Sequence, residues 1–202
     1  MSDGTQFRFV FDPERHTYAL DGRPLPHVTG VLSALGLISY EGIAPDVLDR
    51  KRRIGQAVHA ATHYYDEGTL DEASLSPIVR PYIAAWQRFR LESGFKPIEL
   101  ERAVYSAQYR YAGTFDRIGW LNGLVVLLDI KVVRQLQPAV SLQTAAYAQA
   151  AHETFGARIA ARYAVKLYDD EQYRLSDPFM DPQDLHLFLA ALALATWKGN
   201  QK

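Results

Sequence analysis

The middle of the chain has the residue pattern of β-strands. Three segments there are rich in β-branched and aromatic residues, and they predict strands over 98–106, 109–121 and 124–133. In the third segment the residues next to Asp129 are apolar in an unbroken run, which indicates a strand buried on both faces.

Helical patterns lie on both sides of these strands. They predict helices over 45–65, 77–93, 138–155 and 182–197, with one further strand over 159–167. Near the N-terminus, segments 7–11 and 17–20 predict a small hairpin, and Thr29 is predicted to cap a short helix that ends at Leu35. This order predicts an α/β fold with a mixed central sheet, flanking helices and an N-terminal β-hairpin.

The dipeptide Asn122-Gly123 between two apolar runs is a strong signal for a two-residue hairpin turn. Such a turn pairs Leu121 with Leu124 and places Asp116 opposite Asp129 further along the hairpin. Counted outward from the turn, that pair is not hydrogen-bonded, so its side chains should be close together. The sequence therefore predicts two aspartates that face each other.

Two facing carboxylates on buried strands need a compensating positive charge. Mg²⁺ or Mn²⁺ between them would supply it, since both ions prefer oxygen ligands. Lys131 follows Asp129 by two residues, on the same face of the strand, within reach of a substrate phosphate. The alternative interpretation is a salt bridge between Asp116 and Lys131 without any chemistry.

Composition limits the other options. The chain has 202 residues, a formal net charge of −1 and no cysteine. A nearly neutral chain does not coat nucleic acid through bulk charge, and a chain without cysteine has neither disulfides nor thiolate metal sites. The start of the sequence lacks the pattern of a signal peptide and no apolar run is long enough to span a bilayer, so we expect a cytoplasmic protein in a bacterial or phage-infected cell.

Three sets of residues together resemble a known superfamily. They are Gly113-Thr114-Phe115-Asp116, then Leu128-Asp129-Ile130-Lys131, then Gln143-x-x-x-Tyr147. This order and spacing is similar to the PD-(D/E)XK nucleases, and within them to the RecB-like branch that includes phage exonucleases and the mitochondrial genome maintenance exonuclease. The branch also has a helical histidine, matched here by His59, and a glutamate before the aspartate strand, matched by Glu101.

The resemblance implies a restriction-endonuclease-like core in one nuclease domain over 1–202. Its parts would be an N-terminal hairpin and helices over 1–95, a catalytic sheet core over 96–168 and a C-terminal helix over 180–198. Two departures stand out: His27 lies where the phage members have serine, and no proline precedes Asp116. Neither departure removes an expected metal ligand.

The resemblance also implies roles for individual residues. Mg²⁺ or Mn²⁺ would be held by His59, Asp116, Asp129 and the carbonyl of Ile130, and Glu101 would either support these ligands or join them. Catalysis would use Asp116, Asp129 and Lys131, assisted by Gln143 and Tyr147. For Gln143 and Tyr147, plain packing of the helix against the sheet is an equal alternative.

The implied activity is a metal-dependent DNA exonuclease that acts from DNA ends in recombination or repair. A structure-specific endonuclease and a non-catalytic DNA-binding module of recombination are the alternatives. The family allows a homo-oligomer and a single-strand annealing partner, and no membrane partner is expected.

Two further patterns have competing interpretations. Lys51, Arg52 and Arg53 are candidate DNA contacts, with Arg52 on the helix face of His59, but a run of adjacent charges is also typical of a solvated helix face. His59 and His63 have the spacing of a helical zinc site, to which Asp66 could add a third ligand.

Overall fold

Eight strands and five α-helices make up the part of the chain that the structure, a computed structural model, describes: residues 8–39, 41–199 and 201. The strands are β1 (Phe9–Asp12), β2 (Thr17–Leu20), β3 (Arg23–Leu25), β4 (Lys96–Ser106), β5 (Tyr111–Leu121), β6 (Leu124–Lys131), β7 (Ala161–Leu167) and β8 (Tyr173–Leu175). The helices are α1 (Val28–Ala34), α2 (Pro45–Glu67), α3 (Arg80–Ser93), α4 (Ala139–Phe155) and α5 (Gln183–Gly199), with a 3-10 turn at Glu72–Ser74. No helix in these ranges is long and apolar enough to cross a membrane.

The central sheet has five strands in the order β4-β5-β6-β7-β8. All neighbouring pairs are antiparallel except β6 and β7, which run parallel and are connected through α4. Strands β1, β2 and β3 form a separate antiparallel sheet. The predicted α/β fold, with its mixed sheet and N-terminal hairpin, is confirmed.

Apolar side chains cover both faces of the central sheet. One cluster joins α2 and α3 to the face that carries Leu128, Ile130 and Val165. The other joins α1, α4 and α5 to the face that carries Leu127. Strand β6 is buried from Val126 to Ile130, as its apolar run predicts.

Several local predictions are wrong. Strands β3 and β8 were not predicted, because three residues are too few to show a period. Thr29 lies within α1, and His27 is the N-cap, where its side chain accepts a hydrogen bond from the Gly30 N–H. Residue 7 of the first predicted strand lies outside the described residues.

The β5–β6 turn has the predicted length and register. Leu121 pairs with Leu124, and the same register continues to Arg117 and Leu128. Both turn residues have positive φ, 51° at Asn122 and 78° at Gly123, as the tight two-residue turn requires.

A buried ion pair connects α2 to the central sheet. The side chains of Arg117 on β5 and Asp66 on α2 are both fully buried, and the Arg117 Nε donates to Asp66 Oδ2 at 2.7 Å. Asp66 Oδ1 also accepts from the Trp86 indole and from Arg90. Arg117 in turn donates to Thr62 Oγ1 at 3.2 Å. This network sets the position of α2 over the strand that carries Asp116.

We expect Asp66→Ala to lower the free energy of unfolding by about 3–5 kcal/mol, because it leaves a buried guanidinium without its carboxylate. Urea denaturation of the purified variant measures this loss. Glu92→Ala is the matched control, since it breaks the exposed pair of Arg88 and Glu92 and should change stability little. Equal losses in the two variants would contradict a structural role for the buried pair.

Candidate active site

The candidate site lies where β5 and β6 separate. Their ladder ends at Arg117 and Leu128, so Asp116 and Asp129, the next two residues, do not form the ladder pair that the turn predicts. Instead, Asp116 Oδ2 accepts a hydrogen bond from the Ile130 N–H at 2.6 Å. The Asp116 carboxylate therefore takes the place of a backbone acceptor, and the two aspartates stay close without regular pairing.

Glu101 adds a third carboxylate from the neighbouring strand. The pairs Leu100–Arg117 and Arg102–Phe115 place it opposite Asp116. Its φ is 39°, a left-handed conformation that costs a non-glycine residue free energy and is concentrated at functional sites. Three adjacent strands thus each place a carboxylate at one level of the sheet, and we call Glu101, Asp116 and Asp129 the acidic row.

Lys131 compensates one end of this row. Its Nζ lies 2.7 Å from Asp129 Oδ2, so Lys131 forms an ion pair with the aspartate of its own strand, and a salt bridge with Asp116 stays a prediction. Asp129 is buried, and desolvation raises its pKa to about 6. Lys131 opposes that rise and Asp116 adds to it, since a nearby cation stabilises the ionised carboxylate and a nearby anion does the reverse.

Gln143 and Tyr147 approach from α4, one turn apart on the same helix face. The Gln143 amide donates to Asp129 Oδ1 at 3.1 Å and to the Tyr147 hydroxyl at 3.3 Å, while its Oε1 accepts from Lys131 Nζ at 3.3 Å. Gly113 on β5 leaves room for Tyr147, because a Cβ there would lie 2.5 Å from its ring. Gln143 thereby holds both the carboxylate and the ammonium in place.

His59 reaches the acidic row from α2. Its Nδ1 lies 3.5 Å from Asp116 Oδ1 and 4.0 Å from Glu101 Oε1. The zinc alternative is wrong, because Asp66 is buried against two arginines and His63 lies 3.2 Å from Glu67. His59 therefore belongs with the carboxylates and not with His63.

The donors of this site fit a hard divalent cation. Glu101 Oε1 is buried and has no hydrogen-bond partner among the described residues, and it faces Asp116 and His59. No three His, Asp or Glu side chains in the described ranges converge closely enough to enclose a metal ion. In the rest of the row, the Ile130 N–H donates to Asp116 Oδ2, Gln143 donates to Asp129 Oδ1, and Lys131 forms an ion pair with Asp129 Oδ2. An unpartnered buried carboxylate oxygen is costly, and a cation that binds oxygen would remove this cost.

The basic residues of α2 lie outside this cluster. Lys51, Arg52 and Arg53 are exposed, and Arg52 lies 3.6 Å from Asp49. Helix α2 is continuous from Pro45 to Glu67, which places Arg52 two turns before His59. Their contact with DNA stays a prediction.

Arg117 is a residue of the site that sequence reasoning missed, and its partner Asp66 was considered only as a zinc ligand. Arg117 Nη1 donates to the Asp116 carbonyl at 2.7 Å and lies 3.6 Å from Glu101 Oε1. A signal was present in the sequence, because an arginine inside an apolar strand needs a buried partner. The partner was not evident, since Asp66 lies 51 positions away.

Comparison with known proteins agrees with this geometry. The sequence profile of the PD-(D/E)XK nuclease superfamily matches residues 69–178, more than half of the chain. The chain belongs to the PD-(D/E)XK nuclease superfamily. No curated protein sequence is similar enough to count as a match.

Solved structures of similar fold include a candidate exonuclease from Eubacterium rectale, with 12% identity and a TM-score of 0.50 over 88% of this chain and 75% of that one. LHK-Exo, an alkaline exonuclease from Laribacter hongkongensis solved with dAMP, has 13% identity and a TM-score of 0.47 over 86% of this chain and 87% of its own. At these identities the first similarity shows the fold alone. The predicted likeness to the mitochondrial genome maintenance exonuclease is not confirmed.

The raised pKa of Asp129 predicts a specific effect of pH on stability. An acid whose folded pKa is about 6, above its ordinary 3.8, stabilises the fold when protonated, and this contribution is lost as pH rises from about 4 through 6. Without metal, we expect the free energy of unfolding of the wild type, relative to Asp129→Asn, to fall over that range and then level off. Urea denaturation in EDTA between pH 4 and 8 measures the difference. A difference that does not change with pH would contradict the raised pKa.

Proposed function

We propose that this nuclease is a divalent-metal-dependent DNA exonuclease that hydrolyses phosphodiester bonds from DNA ends, with the whole chain acting as one nuclease domain. The observation that carries the proposal is the convergence of the acidic row with Lys131 where β5 and β6 separate. Carboxylates that hold a cation beside an ammonium suit phosphodiester hydrolysis, in which negative charge develops on the phosphate oxygens.

Mg²⁺ or Mn²⁺ would be held by Asp116, Asp129 and His59, with Glu101 and the Ile130 carbonyl as further donors. The cation would supply Lewis-acid activation of the phosphodiester. Support comes from the buried Glu101 oxygen that has no hydrogen bond and from the raised pKa of Asp129, since a bound cation would offset the burial and the Asp116 charge that disfavour its ionised form.

Lys131 orients the attacking water and stabilises the charge that develops on the phosphate. Gln143 keeps the Lys131 ammonium beside Asp129 through its two contacts, and its amide also bonds the Tyr147 hydroxyl. Burial raises the pKa of Tyr147 well above its ordinary value, so its hydroxyl stays protonated and can donate a hydrogen bond. These side chains are positioned by α4 before substrate arrives, which avoids reorganisation during the reaction.

Action at DNA ends rests on the full residue set. His59 together with Gln143-x-x-x-Tyr147 is the combination by which the sequence resembles the RecB-like exonucleases, and the three side chains surround the acidic row. The Eubacterium rectale protein of similar fold is itself described as a candidate exonuclease. Lys51, Arg52 and Arg53 on α2 would contact DNA phosphates at the approach to His59.

We expect the wild type to shorten end-labelled linear DNA in Mg²⁺ or Mn²⁺ and not in EDTA. Asp129→Ala and Lys131→Ala should each lower the rate at least about 100-fold, because each removes a charge that acts in the transition state. Lys96→Ala is a matched control, since Lys96 is exposed and pairs with Trp120 at the opposite end of the sheet. No shortening by folded wild type in any metal would contradict the proposal and favour a DNA-binding module.

Closed circular DNA separates an exonuclease from an endonuclease. We expect linear DNA to be degraded while closed and nicked circles of the same sequence persist, because closed circles offer no end. Gel electrophoresis of the three forms over time gives the relative rates. Rapid cutting of closed circles would assign an endonuclease with the same active site.

A further inference from the structure

A groove of about 430 Å³ lies at the carboxyl ends of β6 and β7, beyond the active-site lysine. Three basic residues line it: Arg134 after β6, Lys166 on β7 and Arg174 on β8. Asp177 also lines the groove, so the balance of charge along it is positive.

Two basic residues of the groove lie at the same level of the sheet as the active-site lysine. Lys131 pairs with Lys166 across β6 and β7, and Lys166 pairs with Arg174 across β7 and β8. Their strand neighbours Ile130, Val165 and Leu175 pack into the cluster with α2 and α3, so the three basic side chains share the other face. We call Lys131, Lys166 and Arg174 the basic row.

Like charges directly opposite each other destabilise a sheet, and the basic row has two such pairs. In the ranges that the structure describes, no carboxylate oxygen lies within 4.0 Å of the charged nitrogens of Arg134, Lys166 or Arg174. Lys166 Nζ donates to the Arg134 carbonyl at 3.2 Å, which directs both residues to the same part of the groove. Lys166 and Arg174 therefore carry cationic charge that no ion pair among the described residues compensates.

The length of the basic row suits contact with a phosphate backbone. Neighbouring strands are about 4.8 Å apart, so the row from Lys131 to Arg174 spans about 10 Å. One strand of a nucleic-acid duplex carries a negative charge about every 3.4 Å along the axis, so this distance accommodates two or more successive phosphates.

We propose that Lys166 and Arg174, with Arg134 beside them, form a phosphate-binding groove that holds one DNA strand between the active site and the β8 edge of the sheet. The inference rests on the proposed function, because Lys131 marks the scissile phosphate at one end of the row. The acidic row repels the strand on β4 and β5, and the basic row attracts it on β7 and β8. This difference in charge along the sheet directs the substrate strand from the active site towards β8.

The test is the affinity of Lys166→Gln/Arg174→Gln for a fluorescent single-stranded oligonucleotide, measured by anisotropy in EDTA and in Ca²⁺ from about 50 to 300 mM salt. Loss of two phosphate contacts should weaken binding about tenfold at about 100 mM salt and reduce the slope of log K against log salt by about 1.4. The matched control is Lys96→Ala/Arg158→Ala, which removes two exposed positive charges at the opposite end of the sheet. Its slope should equal that of the wild type.

An unchanged slope in the groove variant, an equal loss in the control, or no wild-type binding at about 50 mM salt in either condition would overturn the proposal. If the double variant does not fold, Arg174→Gln alone provides the test, because Arg174 is exposed, and its slope should fall by about 0.7. The outcome is independent of the nuclease assay. A wild type that binds through the groove and never shortens DNA would refute the exonuclease and leave the groove in place.

Discussion

The hydrogen bond from the Ile130 N–H to the Asp116 carboxylate is the interaction on which the candidate site depends. It replaces a backbone contact at the point where β5 and β6 separate, just beyond the pair of Arg117 and Leu128. A backbone donor on a buried strand cannot be left without an acceptor, so Asp116 is fixed there by the requirements of the sheet as well as by chemistry. The position of one carboxylate is thus part of the strand geometry.

The charged side chains on the central sheet differ in how far the protein compensates their charge, and this difference explains how the sheet supports chemistry. Asp129, at one end of the acidic row, has an ion pair with Lys131 at 2.7 Å and a hydrogen bond from Gln143. Glu101 Oε1, at the other end, is buried without a hydrogen bond, and the nitrogens of Arg117 and His59 lie 3.6 and 4.0 Å from it. Across the sheet, Lys166 and Arg174 carry positive charge, and no carboxylate oxygen of the described residues lies within 4.0 Å of their charged nitrogens. Charged groups without full compensation lower the stability of the protein. A bound cation would stabilise the carboxylates of the acidic row, and a bound polyanion would stabilise Lys166 and Arg174.

The buried pair of Arg117 and Asp66 connects fold to function. Asp116 and Arg117 are adjacent on β5. Asp116 lies in the site, and Arg117 holds α2 in place through its ion pair with Asp66. Since α2 carries His59, the ion pair also sets how far the imidazole lies from the carboxylates. An arginine inside an apolar strand needs a buried partner, but no local pattern in the sequence identifies that partner, because it depends on how α2 packs.

Short-range patterns determined the strand core and the position of the site along it. The two-residue turn at Asn122-Gly123 set the register because only residues tolerant of positive φ fit there, and the register placed Asp116 and Asp129 directly beyond the last pair of the ladder, Arg117 and Leu128. The helical spacing of apolar residues determined the long helices, because that spacing also depends only on residues close together in the sequence. Tertiary structure alone decided that Glu101 lies opposite Asp116 and that Lys166 and Arg174 extend the row of Lys131. These alignments depend on how β4, β7 and β8 pair within the sheet, and no local sequence pattern fixed the register of those strands.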